Sequence, residues 1–82
     1  MRTFRTQKDA ATMTQTVTIT MNGARRSIAK GSTLIEVLTA QGINPANVVA
    51  ELNGSIVKKE NFGTVTPLEN DALEIVRFVG GG

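Results

Sequence analysis

Two chemically versatile residues, cysteine and histidine, are both absent from this chain of 82 residues. Their absence excludes disulfide bonds, thiolate nucleophiles, zinc sites of the usual kind and an imidazole general base. The three serines, Ser27, Ser32 and Ser55, therefore have no imidazole to activate them. The acidic residues are scattered, and no spacing suggests a paired general acid and base. The sequence thus predicts a protein that has no metal site and is not an enzyme on its own.

Aromatic residues are also scarce, since the chain has three phenylalanines and neither tryptophan nor tyrosine. Arg2, Arg5 and Lys8, set against Asp9, account for the whole net charge of +2, so the rest of the chain is neutral. Without aromatic side chains interleaved with a basic surface, no nucleic-acid partner is expected. The apolar stretches are too short to span a membrane. We therefore expect a cytoplasmic protein that is a monomer when alone.

The remaining composition is that of one small globular domain. Apolar residues make up 40% of the chain, and valine, isoleucine and leucine dominate among them, which suits a sheet packed on a helix. Residues 1–12 show no sustained period and are expected to form a mobile N-terminal extension. Residues 13–79 are expected to form the domain, and residues 80–82 a flexible tail. A domain of this size buries only about 60% of its unfolded surface, which leaves little room for an internal cleft.

Alternation of apolar and polar residues predicts five strands. In the first strand, Val17 and Ile19 point to one side and the threonines between them to the other. Two Asn-Gly pairs, at 22–23 and 53–54, are strong signals for tight turns between strands. The predicted strands cover residues 16–21, 25–29, 48–52, 55–57 and 73–79.

A short helix is predicted between the second and third strands. Thr33 and Glu36 match a capping box, Leu34 and Leu38 lie on one apolar face, and Gly42 is suited to end the helix. Placing the last strand beside the first buries every apolar face through short connections. The predicted fold class is α+β, with a mixed sheet of four to five strands packed on one short helix.

The chain ends in Gly80, Gly81 and Gly82, directly after the apolar segment 73–79. Glycine has no Cβ, so its backbone can pass through a channel in which a side chain would collide with the wall. Three extended residues reach about 10 Å. The terminal carboxylate can therefore enter the active site of another protein while the folded domain stays outside.

Two segments carry a family resemblance, ELNGSIV at 51–57 and LENDALEIVRFVGGG at 68–82. Together with the Asn22-Gly23 hairpin and the capped helix, they resemble the ThiS family, the sulfur carriers of thiamine biosynthesis. The resemblance covers about residues 14–82 and is most specific in the last segment. It implies the ubiquitin-like β-grasp fold.

The resemblance also implies a cycle of reactions at the C-terminus. The family's Gly-Gly end falls on Gly81 and Gly82, with Gly80 as an additional glycine. A ThiF-like adenylating enzyme would use ATP and its metal to convert the Gly82 carboxylate into an acyl-adenylate. Sulfur would then replace AMP, and a ThiG-like thiazole synthase would take the sulfur from the resulting thiocarboxylate. The chain itself would bind no cofactor.

Three residues just before the tail are candidates for partner docking. By alternation, Val76 and Phe78 lie on one face of the last strand and Leu73 and Ile75 on the other. Val76 and Phe78 are either an exposed docking patch or ordinary sheet residues covered by their neighbours. Arg77 either steers the strand end towards an acidic partner or is simply solvated.

The same features of the sequence are also compatible with three other functions. Sulfur carriers for molybdopterin or another pathway have the same fold and the same Gly-Gly end. A ubiquitin-like modifier would transfer the same activated carboxyl group to a lysine. A plain interaction module would carry an inert tail.

Overall fold

The computed structural model describes residues 15–78. The described residues form five β-strands and one α-helix, α1, which follows the second strand. Two 3₁₀ turns precede β3 and follow β4. The extension predicted at 1–12 and the tail predicted at 80–82 lie outside the described residues. The elements are β1 (Thr16–Met21), β2 (Ala24–Ala29), α1 (Leu34–Ala40), β3 (Val48–Leu52), β4 (Ser55–Val57) and β5 (Ala72–Arg77).

The strands form one mixed sheet in the order β2-β1-β5-β3-β4. β1 and β5 run parallel, while the other three neighbouring pairs are antiparallel. The expectation that the last strand lies beside the first is therefore confirmed, as is the α+β class with one short helix. This order places β5 in the centre of the sheet, where two strands hold its backbone.

Two strand boundaries differ from the prediction. β2 begins at Ala24 rather than at residue 25, because Ala24 pairs with Met21 across the tight turn. β5 covers Ala72–Arg77 rather than 73–79. The strand ends at Arg77 because its partner β3 begins at Val48, opposite Arg77. Beyond that pair, the Phe78 N–H donates to the carbonyl of Asn47, in the 3₁₀ turn Pro45–Asn47 that precedes β3, at 2.9 Å. The predicted last strand residue, Val79, lies outside the described residues.

The capping box predicted for α1 is present. The Glu36 N–H donates to Thr33 Oγ1 at 3.3 Å, and Glu36 Oε1 accepts from the Thr33 N–H at 2.9 Å. The Leu34 N–H donates to the Val65 carbonyl at 3.0 Å, so these donors at the start of the helix are already occupied. After the helix, Gly42 has a φ of 76°, as the helix-ending role requires.

The core lies between α1 and one face of the sheet, which we call the inner face. Phe62 is 1% exposed and belongs to this core. Among the described residues no helix is long and apolar enough to cross a membrane, since α1 has seven residues and a span needs about 20. The buried apolar residues are Ile19, Met21, Ile28, Leu34, Val37, Leu38, Val48, Ala50, Phe62, Leu73 and Ile75.

Candidate functional site

The end of β5 is firmly attached to the sheet. β5 pairs with β3 from Leu73 to Arg77, and the hydrogen bond from Phe78 to Asn47 continues the attachment by one residue. Phe78 is the last residue that the structure describes. The backbone is therefore anchored to within two residues of the predicted glycine tail.

The turn after β1 holds the other side of β5. The Asn22 N–H donates to the Leu73 carbonyl at 2.9 Å. Its side chain then bonds both backbone groups of Ile75: Oδ1 accepts from the N–H at 2.7 Å and Nδ2 donates to the carbonyl at 3.1 Å. The sequence predicted only a turn at Asn22. No local signal reveals this second role, because the two partners are 53 residues apart.

The second Asn-Gly turn makes an equivalent contact at the start of β5. The Asn53 N–H donates to the Ala72 carbonyl at 2.7 Å, and Asn53 Oδ1 accepts from the Ala72 N–H at 2.9 Å. Asn53 Nδ2 also donates to Asp71 Oδ1 at 3.1 Å. Both Asn-Gly turns thus use an asparagine side chain to fix the strand that leads into the tail.

The two faces of β5 have opposite environments, as alternation predicted. Leu73 and Ile75 on the inner face are 0% and 7% exposed, whereas Val76 and Phe78 are 59% and 57% exposed. The two outward side chains are therefore not covered by their neighbours in the sheet. Large apolar side chains left in water are typical of surfaces that meet another protein.

The register of the sheet adds two apolar residues to this surface. Val76 lies opposite Val49 on β3. Ile56 on β4 lies opposite Glu51, which shares the outer face, and is 68% exposed. We call Val49, Ile56, Val76 and Phe78 the outer patch. The sequence did not single out Val49 and Ile56, because only the strand order and register place Val49 beside β5 and Ile56 one strand further, on β4.

A lysine from a distant turn helps to hold the Phe78 ring. The Lys59 Nζ lies 5.5 Å from the ring centroid, within the range of a cation–π interaction. The same ammonium group donates to the Ala46 carbonyl at 3.0 Å. Phe78 is thus partly fixed from one side, while more than half of it remains accessible. No local pattern in the sequence marks Lys59 for this role.

Two carboxylates also lie on the outer face. Glu51 and Glu74 are directly opposite each other on β3 and β5, an arrangement that destabilises a sheet because like charges repel. Within residues 15–78 no group of three acidic side chains could hold a metal ion. The acidic pair instead adds negative charge beside the outer patch.

Arg77 does not belong to the outer patch. Alternation along β5 places it on the inner face with Leu73 and Ile75. It lines a cavity there together with Arg26 from β2. The structure therefore brings Val76 and Phe78 to one side of the strand and Arg77 to the other.

The family model described as the ThiS family matches residues 19–82 of the chain. The chain belongs to the ThiS family. This match confirms the resemblance to the sulfur carriers of thiamine biosynthesis that the sequence showed.

Curated relatives of this ThiS-family chain are of two kinds. A thiazole synthase from Magnetococcus marinus is 36% identical over 64 residues, which are 78% of this chain and 20% of that protein. The sulfur carrier protein ThiS from Bacillus subtilis is 36% identical over 50 residues, which are 61% of this chain and 76% of the carrier. The chain thus spans about a fifth of the length of the thiazole synthases that it matches.

Solved ThiS structures have the same architecture. The crystal structure of the thiamine biosynthesis protein (ThiS) from Geobacter metallireducens has a TM-score of 0.66 at 31% identity, covering 80% of this chain and all of that one. The solution structure of a thiamine biosynthesis protein from the same organism gives a TM-score of 0.64 at 32% identity, covering 80% of this chain and 88% of that one. The predicted β-grasp fold is therefore confirmed. The predicted reactive residues, Gly80, Gly81 and Gly82, lie outside the described residues and stay a prediction.

Proposed function

We propose that this ThiS-family chain carries sulfur on the terminal carboxylate of Gly82. A partner adenylating enzyme of the ThiF type activates that carboxylate, and the thiocarboxylate formed from it donates sulfur to a thiazole synthase of the ThiG type. The observation that carries the proposal is the family match, which extends through the glycine tail to Gly82.

Activation is needed because a carboxylate is a poor acyl donor. In the proposed first step, a Gly82 carboxylate oxygen attacks the α-phosphorus of ATP, and pyrophosphate leaves. A sulfur nucleophile at the oxidation level of hydrosulfide then attacks the acyl carbon, so that a C–S bond forms, the C–O bond to AMP breaks and AMP leaves. The partner supplies ATP, its metal ion and the positive groups that stabilise the transferring phosphate. The carrier supplies the acyl group and is not itself the catalyst.

The reach of the tail supports this division of roles. Residues 79–82, when extended, span about 13 Å beyond Phe78. Three of these four residues are glycines, which can follow a narrow channel. The anchored end of β5 fixes the point from which the tail starts, and the glycines have no side chains that would block a narrow channel. Delivery of a carboxylate to a separate active site requires both properties.

The outer patch supports docking on a partner next to the tail. Val76 and Phe78 are exposed on the anchored end of β5, and Val49 and Ile56 extend the apolar surface. Burial of such side chains at an interface stabilises a complex, and aromatic residues contribute most. Arg77 would flank this contact from the inner face.

A thiazole synthase is proposed as the second partner. The thiazole synthases that match the chain contain a segment similar to it, which supports a physical association between the two kinds of domain. A cytoplasmic location follows from the requirement of the adenylating partner for ATP.

The missing cysteine makes the proposal easy to test. The chain is incubated with the adenylating partner, ATP and a sulfur donor, then treated with iodoacetamide and weighed as an intact protein. Because the chain has no thiol of its own, a single alkylation that requires ATP indicates a thiocarboxylate. Intact mass alone is not sufficient, since oxidation of one of the three methionines adds nearly the same mass as exchange of oxygen for sulfur.

The matched control lacks Gly81 and Gly82. This variant should fold with an unchanged melting temperature and should gain no alkylation. Adducts on lysines of other proteins would instead indicate a modifier, and no ATP-dependent change in either the full chain or its targets would indicate an inert tail.

A further inference from the structure

A cavity lies on the inner face of the sheet, at the end of β5 from which the tail departs. Its volume is about 400 Å³, and it opens between the first hairpin, the end of α1 and β5. The buried side chains of Met21 and Ile75 line it, together with the half-buried Ile43. The cavity is therefore on the opposite side of β5 from the outer patch.

Among the residues that the structure describes, the charged groups that line this cavity are all positive. Arg26 reaches it from β2, where its pairing with Ile19 places it on the inner face. Arg77 reaches it from β5, and no acidic residue within the described range 15–78 lines the cavity. Glu36, which lines a neighbouring cavity with Arg26, is held by the Thr33 N–H through its capping bond. Two guanidinium groups that share a cavity without a carboxylate repel each other unless an anion lies between them.

The amide groups of the cavity have different roles. The Asn22 side chain is committed to both backbone groups of Ile75, so it holds the wall in place. Gln41 Nε2 donates to Met21 Sδ at 3.3 Å, and a thioether is a weak acceptor. Gln41 can therefore exchange this bond for a stronger one to an oxyanion at little cost.

We propose that the cavity between Arg26 and Arg77 receives a carboxylate side chain of the adenylating protein that accepts the tail. This proposal rests on the proposed carrier function. Guanidinium groups match the geometry of a carboxylate with two parallel hydrogen bonds, and Gln41 can donate a further one. The contact is separate from docking on the outer patch, so the partner holds the end of β5 from both faces.

The position of the cavity favours the tail acceptor as the source of the carboxylate. Arg77 directly precedes Phe78, and the two residues line a second, adjoining cavity of about 250 Å³. A protein that contacts Phe78 from within this second cavity therefore also contacts Arg77. Both arginines are exposed to solvent, so they bind a free ion only weakly. A carboxylate on a protein already docked at the tail has a high effective concentration, and the same contacts then stabilise the complex.

The test measures the affinity of the full chain for the adenylating partner at several salt concentrations. Arg26→Gln and Arg77→Gln are each expected to raise Kd about two- to fivefold, and the double variant roughly tenfold. The double variant should also show a weaker dependence of Kd on salt, because two charge contacts are lost. Arg25→Gln is the matched control: it removes the same charge from β2, but Arg25 lies opposite Thr20 on the outer face and does not line this cavity.

The outcomes separate this contact from the carrier function. Suppose that the inner-face variants bind the partner as Arg25→Gln does at every salt concentration, while the unmodified chain is still alkylated in the presence of ATP. The proposed contact in the cavity is then wrong, and the carrier function stands. If the unmodified chain is never alkylated, the carrier function fails first. Far-UV circular dichroism and melting curves check that each variant is folded.

Inorganic phosphate distinguishes a site for free ions from one for a protein carboxylate. The amide signals of Asn22, Arg26, Gln41 and Arg77 are followed by NMR while sodium phosphate replaces sodium chloride at constant ionic strength. Shifts that do not saturate, together with protection of these signals by the partner, support the proposal. If the shifts instead saturate at submillimolar phosphate and the partner does not displace the bound phosphate, the cavity is a site for free ions and the proposal is overturned.

Discussion

The two faces of β5 contain residues of similar chemistry that have different roles. Leu73 and Ile75 are buried between the sheet and α1, whereas Val76 and Phe78, on the same strand, stay more than half exposed. The difference arises because α1, the one helix of the described residues, covers only one side of the sheet. Apolar character alone therefore does not indicate a core residue in a domain this small. The inner face stabilises the fold, while the outer face remains available for a partner.

The largest effect on stability is expected at the inner face. Leu73→Ala should lower the free energy of unfolding by about 2–5 kcal/mol, because Leu73 is fully buried and the substitution leaves a cavity. Val76→Ala, three residues away on the outer face, should change it by only about 0.5 kcal/mol. Urea unfolding of both variants measures the difference. Equal losses of unfolding free energy in the two variants would show that the inner face does not stabilise the fold more than the outer face does.

A smaller loss is expected where the first turn holds the backbone of β5. Asn22→Ala removes two hydrogen bonds to Ile75 and places alanine at a φ of 50°. The expected loss is about 2–3 kcal/mol, from the bonds and the left-handed backbone together. Asn22→Gly removes the same bonds without the backbone cost, so it should recover about 1 kcal/mol by urea unfolding. If Asn22→Gly is as stable as the unmodified chain, the side-chain bonds contribute nothing.

The outer face should affect binding more than stability. Phe78→Ala is expected to lower kcat/KM for adenylation about tenfold, because an exposed aromatic beside the tail is suited to be an interface anchor. Its melting temperature should change little, since the ring is 57% exposed. Leu68→Ala is the control, because Leu68 is 64% exposed but precedes the start of β5. Unchanged adenylation kinetics in Phe78→Ala would remove Phe78 from the docking surface.

The smallest effect is expected at the lysine that contacts the Phe78 ring. Lys59→Gln should lower the free energy of unfolding by about 0.5–1 kcal/mol, the range of an exposed cation–π interaction. Lys58→Gln carries the same change of charge one residue earlier and should have no effect. Thermal unfolding of the two variants compares them, and equal melting temperatures would show that the contact with Phe78 does not stabilise the domain.

Local patterns in the sequence were sufficient to predict the elements and the faces of β5. Alternation separates Leu73 from Val76, the Thr33–Glu36 pair marks the start of α1, and Asn-Gly marks both turns. Each of these signals depends on residues a few positions apart, where sequence spacing and spatial arrangement are closely linked.

The features that the sequence did not predict depend on pairing between distant segments. The hydrogen bonds from the Asn22 side chain to the backbone of Ile75 join residues that are 53 positions apart. The convergence of Arg26 and Arg77 depends on strand order, because β1 separates β2 from β5. The opposition of Glu51 and Glu74 depends on the β3–β5 register. Alternation fixes which face a side chain occupies, but it does not identify its neighbour on the next strand.

The most direct test of the account is to locate the sulfur within the chain. The chain is loaded with its adenylating partner, ATP and a sulfur donor, alkylated with iodoacetamide, and fragmented in a mass spectrometer. We predict that every fragment carrying the alkyl group contains Gly82 and that no fragment ending before Gly82 carries it. An alkyl group on any fragment that lacks Gly82 would contradict the claim that the terminal carboxylate is the site of the chemistry.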